Sequence, residues 1–304
     1  MSKYKEYYIS LIYAFFVVLF LGSYESDLLD EAKSGDIIQH LHNLEITRIL
    51  DFVPAVLKFI PTIIWGIFLK TLTILFANNF FIINFIKFII AFFICLISFR
   101  NANKKSLIIL ILFSTLIIDF YIGNLRNGFS VIFFLFWFFE KKLTKKIILY
   151  VIAIFIHPLA AWVISIEILS KIILKINTMF RFGRFQINYR ILIIIFISAF
   201  YFFIVNVFSN NSQILNLFGY TDSRYVLQQS TGRSFIGLLI WFSMAIIILL
   251  KKKLYKEEIF SVLVLLQVCL LYFSFESIYR LLGSAIVIIL LNAINKRSVF
   301  NNIV

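Results

Sequence analysis

147-IILYVIAIFIHPLAAWVISIEILSKIILK-175 holds 29 positions, almost all of them apolar. That is long for one helix crossing a bilayer, which needs about 20 residues, and short for two. His157-Pro158 divides the run. Proline lacks the backbone donor and clashes with the preceding turn, so the helix stops there. How the stretch is read decides the fold. A single crossing puts the basic segment 177-NTMFRFGRFQINYR-190 on the opposite side from the other basic loops, against the preference of Lys and Arg for the cytoplasmic side. Two short helices meeting near His157 keep that segment inside.

The composition agrees with a membrane class. Of 304 residues, 62% are hydrophobic and 38 are Phe, and the mean hydropathy is +0.98. A soluble core cannot hide that much apolar surface. Short alternating segments of the β-barrel kind are absent, so the expected class is an all-α polytopic integral membrane protein. The net charge of +14 sits in short clusters between apolar segments, which is the pattern of cytoplasmic loops rather than of a nucleic-acid surface. Cys95 and Cys269 both lie in apolar runs and read as small hydrophobes. At the N-terminus, Leu21 precedes Ser23 and Phe20 precedes Gly22, so no small–x–small cleavage pattern follows the first apolar run. It reads as an uncleaved first span.

With Lys3 and Lys5 inside, span one covers 7–22. Residues 23–51 carry seven acids against Lys33 and Arg48, and Ile37, Ile38, Leu41, Leu44 and Ile49 recur at helical spacing. This predicts an amphipathic helix on the outer surface. Residues 52–76 hold Lys58, Pro61, Gly66 and Lys70. A crossing there would put Arg100, Lys104 and Lys105 outside, so the segment reads as re-entrant or as an outer hairpin. Spans then fall at about 80–99, 106–122 and 125–139, two in 147–175, and at about 190–208, 234–250, 259–275 and 279–294. That makes about ten transmembrane helices in one membrane-embedded domain over 1–304, with outer loops 23–79 and 209–233. Every basic cluster is then cytoplasmic.

This layout brings Arg126, His157, Arg224, Arg233, Glu276 and Arg280 to the outer surface, joined by Asp27 and Asp30. Ionisable groups beside a bilayer are expensive to keep and tend to mark sites. Arginine stays charged and presents a planar fork of donors suited to phosphate or diphosphate. Gly123 and Gly128 flank Arg126 and let a bulky headgroup approach the backbone. Each residue also has a plainer reading. Arg126 fits an interfacial anchor, and His157 fits a ring satisfied by local backbone. Glu276 and Arg280 fit an i,i+4 ion pair, and Arg224 and Arg233 fit solvated loop charges. His40 and His42 point apart on a helix, and no Cys/His spacing, phosphate-cradling glycine loop or nucleophile elbow is present. No metal or cofactor is expected.

The order 126-RNGFS-130, 140-EKKLTKK-146, 155-FIHPLAAW-162, with 22-GSYESDLLD-30 before and 276-ESIYR-280 after, resembles the Wzy-type polysaccharide repeat-unit polymerases, in particular their EpsG-like branch. The strongest part of the likeness is 119–162. The resemblance implies a GT-C-like membrane glycosyltransferase in a bacterial inner membrane, its site facing the periplasm or outside. Its donor and acceptor would be undecaprenyl-diphosphate-linked glycans, with a chain-length regulator as a further partner. It implies Arg126 and Arg280 on the leaving diphosphate and His157 as general base, with Asp27 or Glu276 as rivals for that role. Asp30, Arg224, Tyr225 and Arg233 would contact substrate. An O-antigen ligase and a lipid-linked oligosaccharide flippase are the alternatives. A flippase calls for internal repeats and charges deep in the membrane, where only Lys87 and Glu167 are found.

Overall fold

The computed structural model describes residues 3–25, 35–60, 62–103, 112, 125–176, 179–182, 185–209, 235–250, 254–271, 283 and 285–291. Apart from one short hairpin, every described element is helical. The described residues fall into two compact units, one up to Ala160 and one from Ala161 onward.

In the first unit, α1 (Lys3–Glu25) lies along α5 (Asn79–Asn101). They run antiparallel. Arg100, in the last turn of α5, donates to the Tyr7 hydroxyl, stands 5.0 Å over the Tyr7 ring and lies 3.9 Å from the Glu6 carboxylate in the first turn of α1. Asn78 starts α5 by accepting the amides of Phe80 and Phe81 at 2.8 and 3.2 Å, which satisfies donors that have no partner inside the helix.

Three short helices gather at that N-terminal end of α5: α2 (Gly35–Ile49), α3 (Phe52–Leu57) and α4 (Ile63–Leu75). The amphipathic helix expected in 23–51 is therefore present as α2. The ambiguous segment 52–76 forms two helices of 6 and 13 residues, each shorter than a bilayer crossing. A Cβ added at Gly66 would stand 3.0 Å from Phe59 Cβ and 3.1 Å from the Val56 carbonyl oxygen, so this glycine sets the close approach of α3 and α4.

α6 (Leu125–Phe139) and α7 (Leu143–Ile156) form an antiparallel pair joined at 140–142. In the joint, the Glu140 carboxylate accepts the amides of Lys141 and Lys142 at 2.8 and 3.0 Å. Those bonds, that to Lys142 foremost, hold its carboxyl below the usual range, with help from the charges of Lys145 and Lys142. α6 runs in the same sense as α5. Phe129 near its start meets Trp65 and Phe68 of α4, while Phe136 near its end meets Phe93.

α7 stops where the sequence says it must. His157 is extended, at φ −149° and ψ 119°, Pro158 follows, and α8 (Leu159–Lys175) begins at once.

The second unit carries α8 from Ala161. The basic segment after it folds as an antiparallel hairpin of β1 (Met179–Phe182) and β2 (Phe185–Asn188), with Phe182 opposite Phe185. α9 (Tyr189–Ser209) follows, and both α9 and α10 (Phe235–Leu249) pack on α11 (Lys256–Leu270). Arg190 caps α8 by donating to the carbonyls of Ile176 and Leu174 at 2.8 and 2.9 Å. Glu167, fully buried, is held by Lys171 at 2.8 Å and by Lys256 at 2.6 Å, which accounts for a carboxylate inside an apolar helix.

Among the described residues, Asn79–Asn101 is the helix that is long and apolar enough to cross a membrane; 63–75, 125–139, 190–204 and 237–249 are apolar but shorter. Large apolar side chains stand exposed along several helices: Leu11, Phe15 and Leu19 on α1, Ile147, Val151 and Phe155 on α7, and Phe196, Phe200 and Phe203 on α9.

Candidate functional site

Arg126 is the second residue of α6 and is half-buried; His157 is the residue at which α7 ends and is 2% exposed. Because α6 and α7 are antiparallel, the two sit at the same end of the pair. A buried hydrogen bond ties that end together. Ser130 Oγ donates to the Ala153 carbonyl at 3.0 Å. Ser130 is one turn beyond Arg126 and Ala153 is one turn before His157. The same carbonyl also accepts the His157 amide at 3.0 Å. The position of the arginine and that of the histidine are thus referred to one oxygen atom.

The His157 ring has a defined proton arrangement. The Leu159 amide donates to its Nδ1 at 3.2 Å. A backbone N–H can only donate, so Nδ1 is the bare nitrogen and the proton of the neutral ring is on Nε2. The lone pair that a general base would use is therefore committed to the backbone, and the other ring nitrogen, Nε2, is a donor. A ring stopped by proline and turned onto the second amide beyond itself is a local consequence of the His-Pro-Leu order.

Beneath the start of α6 lies an aromatic floor. Phe68 stacks on Phe129 with centroids 4.4 Å apart, Trp65 stands 5.9 Å from Phe129, and His40 meets Trp65 edge-on at 6.0 Å. Asn127 and Ser130 are both buried on the first turns of α6.

Two cations at this end neutralise helix ends. The Lys70 ammonium, 8% exposed, donates to the carbonyls of Thr47 at 2.9 Å and Leu50 at 2.6 Å, at the C-terminus of α2. Arg48, in the last turn of α2, donates to the Phe76 carbonyl at 3.1 Å and to Asn79 Oδ1 at 2.6 Å, at the C-terminus of α4. Both charges lie where the negative ends of helix dipoles point. Neither residue entered the sequence reading as functional, and their partners are backbone carbonyls, which carry no residue signature.

Of the expected site residues, the structure places Arg126 and His157 at one end of one helix pair. Asp27, Asp30, Arg224, Tyr225, Arg233, Glu276 and Arg280 lie outside the described residues. Among the described residues, no group of three or more His, Cys, Asp or Glu side chains is arranged to hold a metal ion.

Comparison of the chain with protein-family models, with curated proteins and with solved structures returned no match.

Proposed function

We propose that this chain is a polytopic membrane glycosyltransferase that joins undecaprenyl-diphosphate-linked oligosaccharide repeat units into a polysaccharide on the outer side of a bacterial cytoplasmic membrane. The membrane reading is supported by the exposed apolar rows on α1, α7 and α9, which water would not tolerate and lipid would. It is further supported by charge. In the first unit Lys5, Arg100 and the Lys141–Lys146 segment share one end, while Arg126, His157 and the short helices α2 to α4 share the other, where the cations Arg48 and Lys70 are spent on backbone carbonyls.

The observation that carries the catalytic reading is the common end of Arg126 and His157, fixed by the Ser130–Ala153 bond. Both present N–H donors there. A pair of donors beside a membrane surface suits a diphosphate whose negative charge grows as it leaves. In this reading the acceptor sugar hydroxyl attacks the anomeric carbon of the donor glycan. The carbon–oxygen bond to the diphosphate breaks, and the electron pair goes to the lipid diphosphate. Arg126 and the Nε2–H of His157 stabilise that oxyanion. The hydroxyl proton passes to a carboxylate, for which Asp27 and Glu276 are the candidates. His157 is thus assigned as an electrostatic donor, not as the base that the family resemblance alone implies.

The test is the surface glycan profile of cells lacking this gene, run on a gel and complemented with wild type or Arg126→Ala. A ladder cut to a single repeat, restored by wild type and not by a well-expressed Arg126→Ala, supports the proposal. Polymer accumulating on the lipid carrier instead indicates a ligase, and loss of repeats without accumulation indicates a flippase. An unchanged ladder refutes the reading.

A further inference from the structure

α7 opens on a cluster of cations and continues as a row of apolar side chains. The segment 140-EKKLTKK-146 carries four lysines against one acid. Lys141, Lys142 and Lys145 are exposed, and among the described residues no hydrogen bond or ion pair takes their ammonium groups. Glu140 lies close by, but its carboxylate is held by the backbone amides of Lys141 and Lys142. Lys146 is placed differently. Its ammonium stands 4.9 Å over the ring of Trp137, a buried side chain in the last turn of α6, which anchors the cluster to the helix pair.

Leu143, Ile147, Val151 and Phe155 then follow at four-residue steps along α7, and all four are exposed. Residues four apart on a helix lie one above another, so these side chains line one strip. At about 1.5 Å per residue the strip rises about 18 Å. One leaflet of a hydrocarbon core about 30 Å thick measures about 15 Å. The strip therefore runs the depth of a leaflet, and the free lysines lie within one turn of its first residue.

We propose that the α6–α7 joint binds an anionic phospholipid, its phosphate among Lys141, Lys142 and Lys145 and an acyl chain along the strip from Leu143 to Phe155. Cations at the head of a leaflet's length of apolar surface match an amphiphile with a negative headgroup. A water-soluble polyanion would use the lysines and leave the strip bare. Because α6 and α7 are antiparallel, this joint is at the end of the pair opposite Arg126 and His157, so the site is distinct from the one proposed for the lipid diphosphate. The inference rests on the membrane part of the proposed function and not on glycosyl transfer.

The test is native mass spectrometry of the full chain released from detergent micelles, titrated with dioleoyl-phosphatidylglycerol or dioleoyl-phosphatidylcholine. Phosphatidylglycerol should bind more tightly. A lysine beside an anionic headgroup is worth about fivefold in affinity, so Lys145→Gln should weaken that binding about fivefold. Lys141→Gln, Lys142→Gln and Lys145→Gln together should weaken it about a hundredfold. These side chains are exposed, so the variants should melt within a few degrees of wild type. Lys58→Gln removes one exposed charge at the opposite end and should leave binding unchanged. Equal binding of the two lipids, or phosphatidylglycerol binding unchanged in the triple variant, overturns the site. Displacement of the lipid by an equal concentration of glycerol phosphate, or of a polyglutamate peptide, also overturns it, in favour of a free phosphate or an acidic protein. The two readings fail separately. Equal binding of the two lipids, alongside a glycan ladder that needs Arg126, removes only this site. Selective phosphatidylglycerol binding, alongside a ladder indifferent to Arg126→Ala, removes only the polymerase.

Discussion

Lys70 and Arg48 cap each other's helices. The ammonium from α4 closes the end of α2, and the guanidinium from α2 closes the end of α4. Each cation is also the reason its partner helix stays within reach. Lys70→Met keeps the length of the side chain and removes the charge, leaving buried carbonyls without their donor. Thermal unfolding of the detergent-purified protein should show a loss of about 1–2 kcal/mol. Combining it with Arg48→Met should cost less than the sum of the two single changes, because either one already loosens the shared contact.

Gly66→Ala should destabilise the same layer for a different reason. Its Cβ would meet Phe59 Cβ at 3.0 Å and the Val56 carbonyl oxygen at 3.1 Å, and the backbone carbonyl cannot swing away. A cost of about 1–3 kcal/mol is expected, read as a lower melting temperature.

His157 separates a donor from a base. Glutamine retains an N–H at a similar reach but cannot serve as a base. If the Nε2–H of His157 stabilises the leaving diphosphate, His157→Gln should keep repeat-unit transfer within about tenfold of wild type, and His157→Ala should lose about a hundredfold or more. Equal loss in the two variants, at equal protein level, would speak for the base.

Glu140 should give the α6–α7 joint a pH dependence. Its folded carboxyl titrates below the usual 4.5, so its stabilising effect is complete above that value and is lost as pH falls through the lower folded value. Melting temperatures of wild type and Glu140→Gln should therefore differ most near neutral pH and converge as the pH falls below the lowered folded value. A constant offset between the two curves down to acid pH would contradict the assignment.

Much of the helix order is legible in the sequence because it depends on local chemistry. Pro158 dictates the break after α7, and the apolar run after Arg126 gives α6 its bounds of Leu125–Phe139. The spacing of Leu41, Leu44 and their neighbours gives α2. What the sequence conceals is the identity of partners that are not side chains. Lys58, Lys70 and Gly66 made 52–76 hard to read as a span, yet Lys70 is resolved by carbonyls contributed by α2 and Gly66 by the approach of α3. The hairpin in the basic segment after α8 was missed, although Gly183-Arg184 between Phe182 and Phe185 is a glycine-first pair of the kind two-residue hairpin loops favour; the basic, loop-like composition of 177–190 masked it. At the candidate site, Arg126 and His157 were legible as residue types. Ser130, which joins their helices, was not, because a serine on a helix face looks the same whether it bonds its own turn or its neighbour's.

The brevity of α4 has a consequence for the surroundings of Arg126. Its 13 residues rise about 20 Å, some 10 Å less than the hydrocarbon slab. In the proposed membrane reading, a bilayer meeting that face would have to thin or admit water. Through Phe68 and Phe129 this same helix abuts the start of α6. Under the proposed function, a dent in the lipid at that place would let a doubly charged headgroup descend to the arginine while its polyprenyl tail stays in oil, and the depth of the membrane itself would become part of the substrate's approach.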